Sequence, residues 1–141
     1  AVQAVVDWFG PLNFLEMDAQ FSASGITPAM GATSSETSPE SQYIGQLITE
    51  DPELTQQANP ATYINTMAEE TAPSFLIEHG TADANVPTQQ SVDFADLLIP
   101  VIGEEKVTLV LLDGAGHGTS EFTAQENLDR VFAFLDEVLG N

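Results

Sequence analysis

The 141-residue sequence has no cysteine, two basic side chains (Lys106 and Arg130) and no long apolar run. The lack of cysteine excludes disulfides, thiol catalysis and cysteine-ligated zinc. Two cations against 22 acidic residues leave a formal net charge of −20. That excludes a nucleic-acid or anionic-membrane binder acting unaided, since both need basic patches. The longest apolar runs are about half a membrane-helix length or less, so no bilayer span is expected. No charged-then-apolar leader opens the chain. The first residue is Ala1 rather than Met, which points to processing or to a piece of a longer polypeptide. What is present is a 43% hydrophobic composition, enough for one globular domain with a core of its own. The acidic surface reads as a solvated face that favours solubility, with adaptation to high salt as a second reading.

Order along the chain is uneven. Val2 to Val6 (VQAVV) reads as a buried strand running into a Gly10-Pro11 turn. Residues 12 to 40 are mixed, and the small polar stretch from Gly31 to Pro39 reads as an exposed loop. Pro39 opens a helical pattern with Ile44, Leu47 and Ile48 on one face, and Asp51-Pro52 and Asn59-Pro60 keep the next helices short. Phe75-Leu76-Ile77, ending at His79-Gly80, suits a buried strand. Thr88 is a candidate cap for a helix carrying Val92, Ala95, Leu98 and Ile99, weakened at its end by Pro100. Val107 to Leu112 (VTLVLL) is the clearest strand. The last helix has a capping box at Thr123 and Glu126, an apolar face of Leu128, Val131, Phe132, Leu135, Val138 and Leu139, and a stop at Gly140. Glu126 and Arg130 form an i, i+4 pair on its solvent side. Continuous apolar strands alternating with helices predict an α/β fold: about three parallel strands with flanking helices.

In open α/β sheets, ligands bind beyond the carboxyl ends of the strands. Two such ends carry unusual residues. HGTADANVP (79–87) sets Asp83 four residues past His79, and GAGHG (114–118) leaves His117 uncrowded among glycines. A carboxylate on one loop and an imidazole on the next can pair, which frees the second ring nitrogen as a general base. Nine serines are present, yet none sits in a G-x-S-x-G elbow. FSASG comes nearest, with Gln20 where the first glycine belongs. The spacing therefore yields two-thirds of a triad. Other readings stand beside it. Asp83 could be an ordinary turn residue, and His79 reads as structural, hydrogen-bonding backbone at the strand end. A metal site from His79, Asp83 and His117 lacks the short helical ligand spacing zinc favours, so no metal and no cofactor is expected.

HGTADANVP, GAGHG and VVDWFGPLNF resemble the carboxyl-terminal half of an α/β-hydrolase of the feruloyl/acetyl-esterase-like branch, related to the prolyl oligopeptidase group. SPESQYIG and NPATYI resemble that branch's cap and linker segments, so the likeness covers almost the whole chain. The resemblance implies a partial α/β-hydrolase fold without the amino-terminal half of the sheet. Residues 1–141 would form the carboxyl-terminal part of one domain, with 12–70 as a cap or lid. It makes Asp83 the triad acid and His117 the base of a serine ester hydrolase acting on a small-molecule ester. The serine and the oxyanion loop would lie upstream, leaving the isolated chain inactive. Trp8, Phe9 and Val86 become candidate substrate contacts, although aromatics are as often core. A non-catalytic interaction module and a prolyl oligopeptidase-like peptidase are the alternatives. An unpaired first strand would recruit a partner, as a homo-oligomer, a strand-swapped dimer or a companion chain holding the missing half.

Overall fold

The computed structural model describes residues 1–140. Three strands, β1 (Ala4–Trp8), β2 (Ser74–Gly80) and β3 (Val107–Leu112), form a parallel sheet in the order β1-β2-β3. The connection from β1 to β2 carries three short helices, α1 (Met17–Ser24), α2 (Pro39–Ile44) and α3 (Pro52–Gln57). Helix α4 (Gln89–Ile102) crosses from β2 to β3, and α5 (Gln125–Leu139) follows β3. Among the described residues no helix is long and apolar enough to cross a membrane. This is the α/β arrangement of three parallel strands and flanking helices that the alternation in the sequence predicts.

Helices lie on both sides of the sheet, and residues in register share a face. Phe75 and Ile77 of β2 lie in register with Val5 and Asp7 of β1 and with Val107 and Leu109 of β3. On that face they join Phe94, Ala95, Leu98 and Ile102 of α4, together with Ile64, in the main core. The opposite face carries Trp8 and Glu78, in register with each other, and meets α5 through Asn127. A second core of Phe14, Met17, Ile48 and Val86 fastens the β1–β2 connection. The buried Gln90 side chain adds polar ties there, accepting from the amides of Leu12 and Asn13 and donating to Asn13 O and Gln20. The short helices are set by their caps. Ser38 and Asp51 accept from amides of the first turn, each with proline just inside, and Gly25 and Gly45 end α1 and α2 with left-handed backbone.

Several local expectations are corrected. Strand β1 lies two residues later than Val2 to Val6, because pairing with β2 begins at Ala4 opposite Ser74 and leaves Val2 exposed. Helix α4 runs past Pro100. A proline in the last turn removes only the bond to the carbonyl four residues back, and Asp96 and Pro100 both face solvent. Thr88 does not cap α4; its hydroxyl donates to Gly80 O at 2.7 Å. The capping box at Thr123 is absent, since α5 starts at Gln125 with Ala124 at the cap and Thr123 turned back to Ser120 O. Arg130 pairs not with Glu126 but with Asn127, and stands 3.9 Å from Glu78. The polar stretch 31–39 is not wholly exposed: Thr33 and Ser38 are buried, and Asp18 accepts from the amides of Thr33 and Ser34.

Candidate active site

The loops after β2 and β3 meet because Gly80 has no side chain. A Cβ there would stand 2.2 Å from the carbonyl oxygen of Ala115. The two backbones instead lock together. Thr81 N donates to Leu112 O at 3.0 Å and Ala82 N to Ala115 O at 2.9 Å. Gly114 N donates to Thr81 Oγ1 at 2.8 Å. Gly114 and Gly118 adopt positive φ (73° and 66°), a conformation that costs glycine nothing. Their turns hold His117 between them.

Asp83 is fully buried and has four favourable contacts. Oδ1 accepts from the amides of Asn85 and Val86, both at 2.8 Å. Oδ2 lies 2.9 Å from Nδ1 of His117 and 3.2 Å from Nε2 of His79. Burial pushes the carboxyl pKa up, but the bonds from His79, the Val86 amide, His117 and the Asn85 amide outweigh it and hold Asp83 below the ordinary aspartate value. A charged carboxylate against Nδ1 puts the proton on that nitrogen, so Nε2 of His117 carries the lone pair. Among the described residues, Nε2 of His117 has no hydrogen-bond partner. The ring is 31% exposed, so that lone pair is open to an incoming hydroxyl.

Phe9 leaves β1 with positive φ (50°), the single non-glycine residue among those described to do so. Such a conformation costs on the order of 1 kcal/mol or more and persists where the surroundings impose it. Here it carries the Phe9 ring to 4.3 Å from the His117 ring, edge-on to Phe122. Trp8 also packs on Phe122, and among the described residues its buried indole N–H has no hydrogen-bond partner. The Val86 side chain is buried in the second core, while its backbone accepts from His79 and donates to Asp83. His79 bonds backbone as its strand-end position implies, but also touches Asp83 and Ser91, at 2.6 Å from Nδ1 to Ser91 Oγ. Ser91 is the residue that sequence reasoning missed. Its signal is a serine in helical register with Phe94, Ala95, Leu98 and Ile102 on the buried face of α4. Among the described residues, no group of three or more His, Asp or Glu side chains is arranged to hold a metal ion. A cavity of about 490 Å³ between α1 and the 81–89 loop is lined by neither Asp83 nor His117.

The model of the BD-FAE family matches residues 1–98, well over half of the chain. The chain belongs to the BD-FAE family. This BD-FAE chain, an α/β-hydrolase-type domain, also superimposes on solved esterases. A truncated form of a carbohydrate esterase from gut microbiota is 28% identical with a TM-score of 0.78, over 99% of this chain and 44% of that one. A bifunctional GH43-CE protein of Bacteroides eggerthii is 26% identical with a TM-score of 0.75, over 96% of this chain and 16% of that one. A thermophilic esterase of Thermogutta terrifontis, solved with butyrate bound, is 22% identical with a TM-score of 0.59, which shows a shared fold. No curated protein matches. The BD-FAE chain spans less than half the length of each of these structures and corresponds to the carboxyl-terminal half of an α/β-hydrolase.

Proposed function

We propose that this chain supplies the acid and base of a serine ester hydrolase, with the nucleophilic serine and the oxyanion donors contributed by another part of the enzyme. The carrying observation is the 2.9 Å contact between Asp83 Oδ2 and His117 Nδ1, with Nε2 of the ring left free. In this reading His117 Nε2 takes the proton of the serine hydroxyl as that oxygen attacks the ester carbonyl. It then returns the proton to the departing alcohol, so the ring ends as it began. Asp83 fixes the tautomer and stabilises the imidazolium that forms in between. Phe9 walls the ring on the site side, and Trp8 and Val86 stand behind as supports of a small-molecule ester pocket. The segment 12–70, fastened through Gln90 and the second core, serves as the cap. No cofactor takes part.

By itself the chain turns over little or no p-nitrophenyl acetate, because oxyanion-hole donors alone account for roughly 10²–10³ in rate. Joined to a serine-bearing α/β-hydrolase half, it hydrolyses the ester, and His117→Ala abolishes that turnover. Turnover by the isolated chain that vanishes in His117→Ala would overturn the division of labour. Turnover by the joined enzyme that survives His117→Ala would overturn the assignment of the base.

Among the described residues strand β1 pairs on one side only, and an unpaired apolar edge recruits another strand. The reading therefore includes a second chain on that edge, as a homo-oligomer, a strand-swapped dimer or a companion half. With a net charge of −20, association strengthens as salt screens repulsion. Sedimentation velocity that finds a monomer at every salt concentration refutes it.

A further inference from the structure

The triad reading uses one imidazole and leaves a second, more deeply buried one without a task. His79 sits at the end of β2 with no exposed surface. Its Nε2 is 2.9 Å from the carbonyl oxygen of Val86 and 3.2 Å from Asp83 Oδ2, the same oxygen that His117 contacts. Its Nδ1 is 2.6 Å from Ser91 Oγ. These neighbours decide the tautomer. Both groups facing Nε2 are acceptors, so a lone pair there would face two oxygens in a water-free site. The proton therefore belongs on Nε2, and the Ser91 hydroxyl, which can donate, satisfies Nδ1.

We propose, resting on the triad reading, that His79 is a positioning residue: its Nε2–H, oriented by Ser91, bridges Val86 O and Asp83 Oδ2 and holds the acid in line for His117. The oxygen that receives His117 has a lone pair to spare, and a fully buried carboxylate needs every such site filled. Without a second donor, Asp83 Oδ2 would depend on a partly exposed ring that must gain and lose a proton in each turnover. His79 gives that oxygen a partner that stays put. The bridge to Val86 O also ties the acid to the loop whose amides bind Oδ1, so the loop and the carboxylate form one rigid unit. The charged and titratable groups around this unit are His117 from the loop after β3 and Asp7 from β1, whose carboxylate acts on His79. Helix α4 contributes the neutral Ser91.

The sequence holds two histidines, so nitrogen-15 NMR of the 141-residue chain resolves both rings. In the parent, His79 is expected as the Nε2–H tautomer and His117 as the Nδ1–H tautomer. His79 found as Nδ1–H overturns the inference and leaves the triad reading standing. His117 found without an Nδ1–H bonded to Asp83 overturns the triad reading itself. His79→Leu removes the donor and is expected to move the Asp83 carboxyl titration upward, toward that of an ordinary aspartate, and to broaden or abolish the His117 Nδ1–H signal. His79→Gln places an amide NH2 near the same two acceptors and is expected to restore both. An unchanged Asp83 titration in His79→Leu, or no restoration in His79→Gln, refutes the role. Should the leucine variant fail to fold, the parent tautomer and the glutamine variant still decide it.

Discussion

The two faces of the sheet are filled to very different degrees. On the α4 side, Phe75, Ile77, Phe94, Ala95, Leu98 and Ile102 are all buried, and even the polar His79 has every nitrogen satisfied. On the α5 side, the helix buries only Asn127, while Phe132 remains 60% and Leu139 45% exposed. Among the described residues two buried polar atoms there, Trp8 Nε1 and Glu78 Oε1, have no hydrogen-bond partner, the latter with only the Arg130 guanidinium at 3.9 Å. One face is a finished core and the other is half-covered. A helix can thus be the most regular in the sequence and still be loosely held, because amphipathic spacing specifies a helix and its apolar stripe but not whether this chain contains the surface that stripe needs.

The sharpest way to break the contrast is a matched pair of truncations. Leu98→Ala, at a fully buried position, is expected to lower stability by about 3 kcal/mol in urea denaturation. A smaller effect of opposite sign is expected at Asp7, on the α4 side of β1. Burial raises the Asp7 pKa, against the hydrogen bond from the Gly10 amide and the electrostatic pull of the nearby His79 ring. A raised folded-state pKa makes the charged carboxylate unfavourable, so the stability linked to its proton is present at low pH and is lost as pH rises through the folded value. Asp7→Asn keeps an acceptor for Gly10 N, which bonds Oδ1 at 3.0 Å. It should therefore raise the melting temperature at pH 7, and the gain should vanish below about pH 4, where the unfolded aspartate is itself protonated. The smallest effect belongs to the α5 face, where Phe132→Gln should change stability by less than about 0.5 kcal/mol. A loss there as large as that of Leu98→Ala would mean that the two faces are equally packed.

Strand β2 was legible because a central parallel strand buried on both faces leaves a continuous apolar run, and β3 because its run VTLVLL is apolar and β-branched although the strand is only partly buried. Strand β1 was displaced because its polar carboxyl end, Asp7-Trp8, is fixed by register with Ile77 and Glu78 rather than by hydropathy. The caps at Thr88 and Thr123 failed for a common reason: each hydroxyl found a carbonyl at a turn before the helix began. In the site, Asp83 and His117 stood out by loop position and glycine spacing. Ser91 did not, since its role depends on α4 crossing over β2, and Phe9, a candidate substrate contact by resemblance, owes its position beside His117 to a left-handed backbone that no side chain announces. Glu78 carried a visible signal, an acidic residue inside an apolar strand, and its partner Asn127 lies 49 positions away.

The close approach of Gly80 to Ala115 O constrains how this scaffold can be re-engineered. The acid-bearing and base-bearing loops interlock at a point where one methyl group would force them apart, so neither can be grafted alone into a foreign sheet. Gene recombination that splits the chain between these loops should yield chimaeras that fold with mismatched rims.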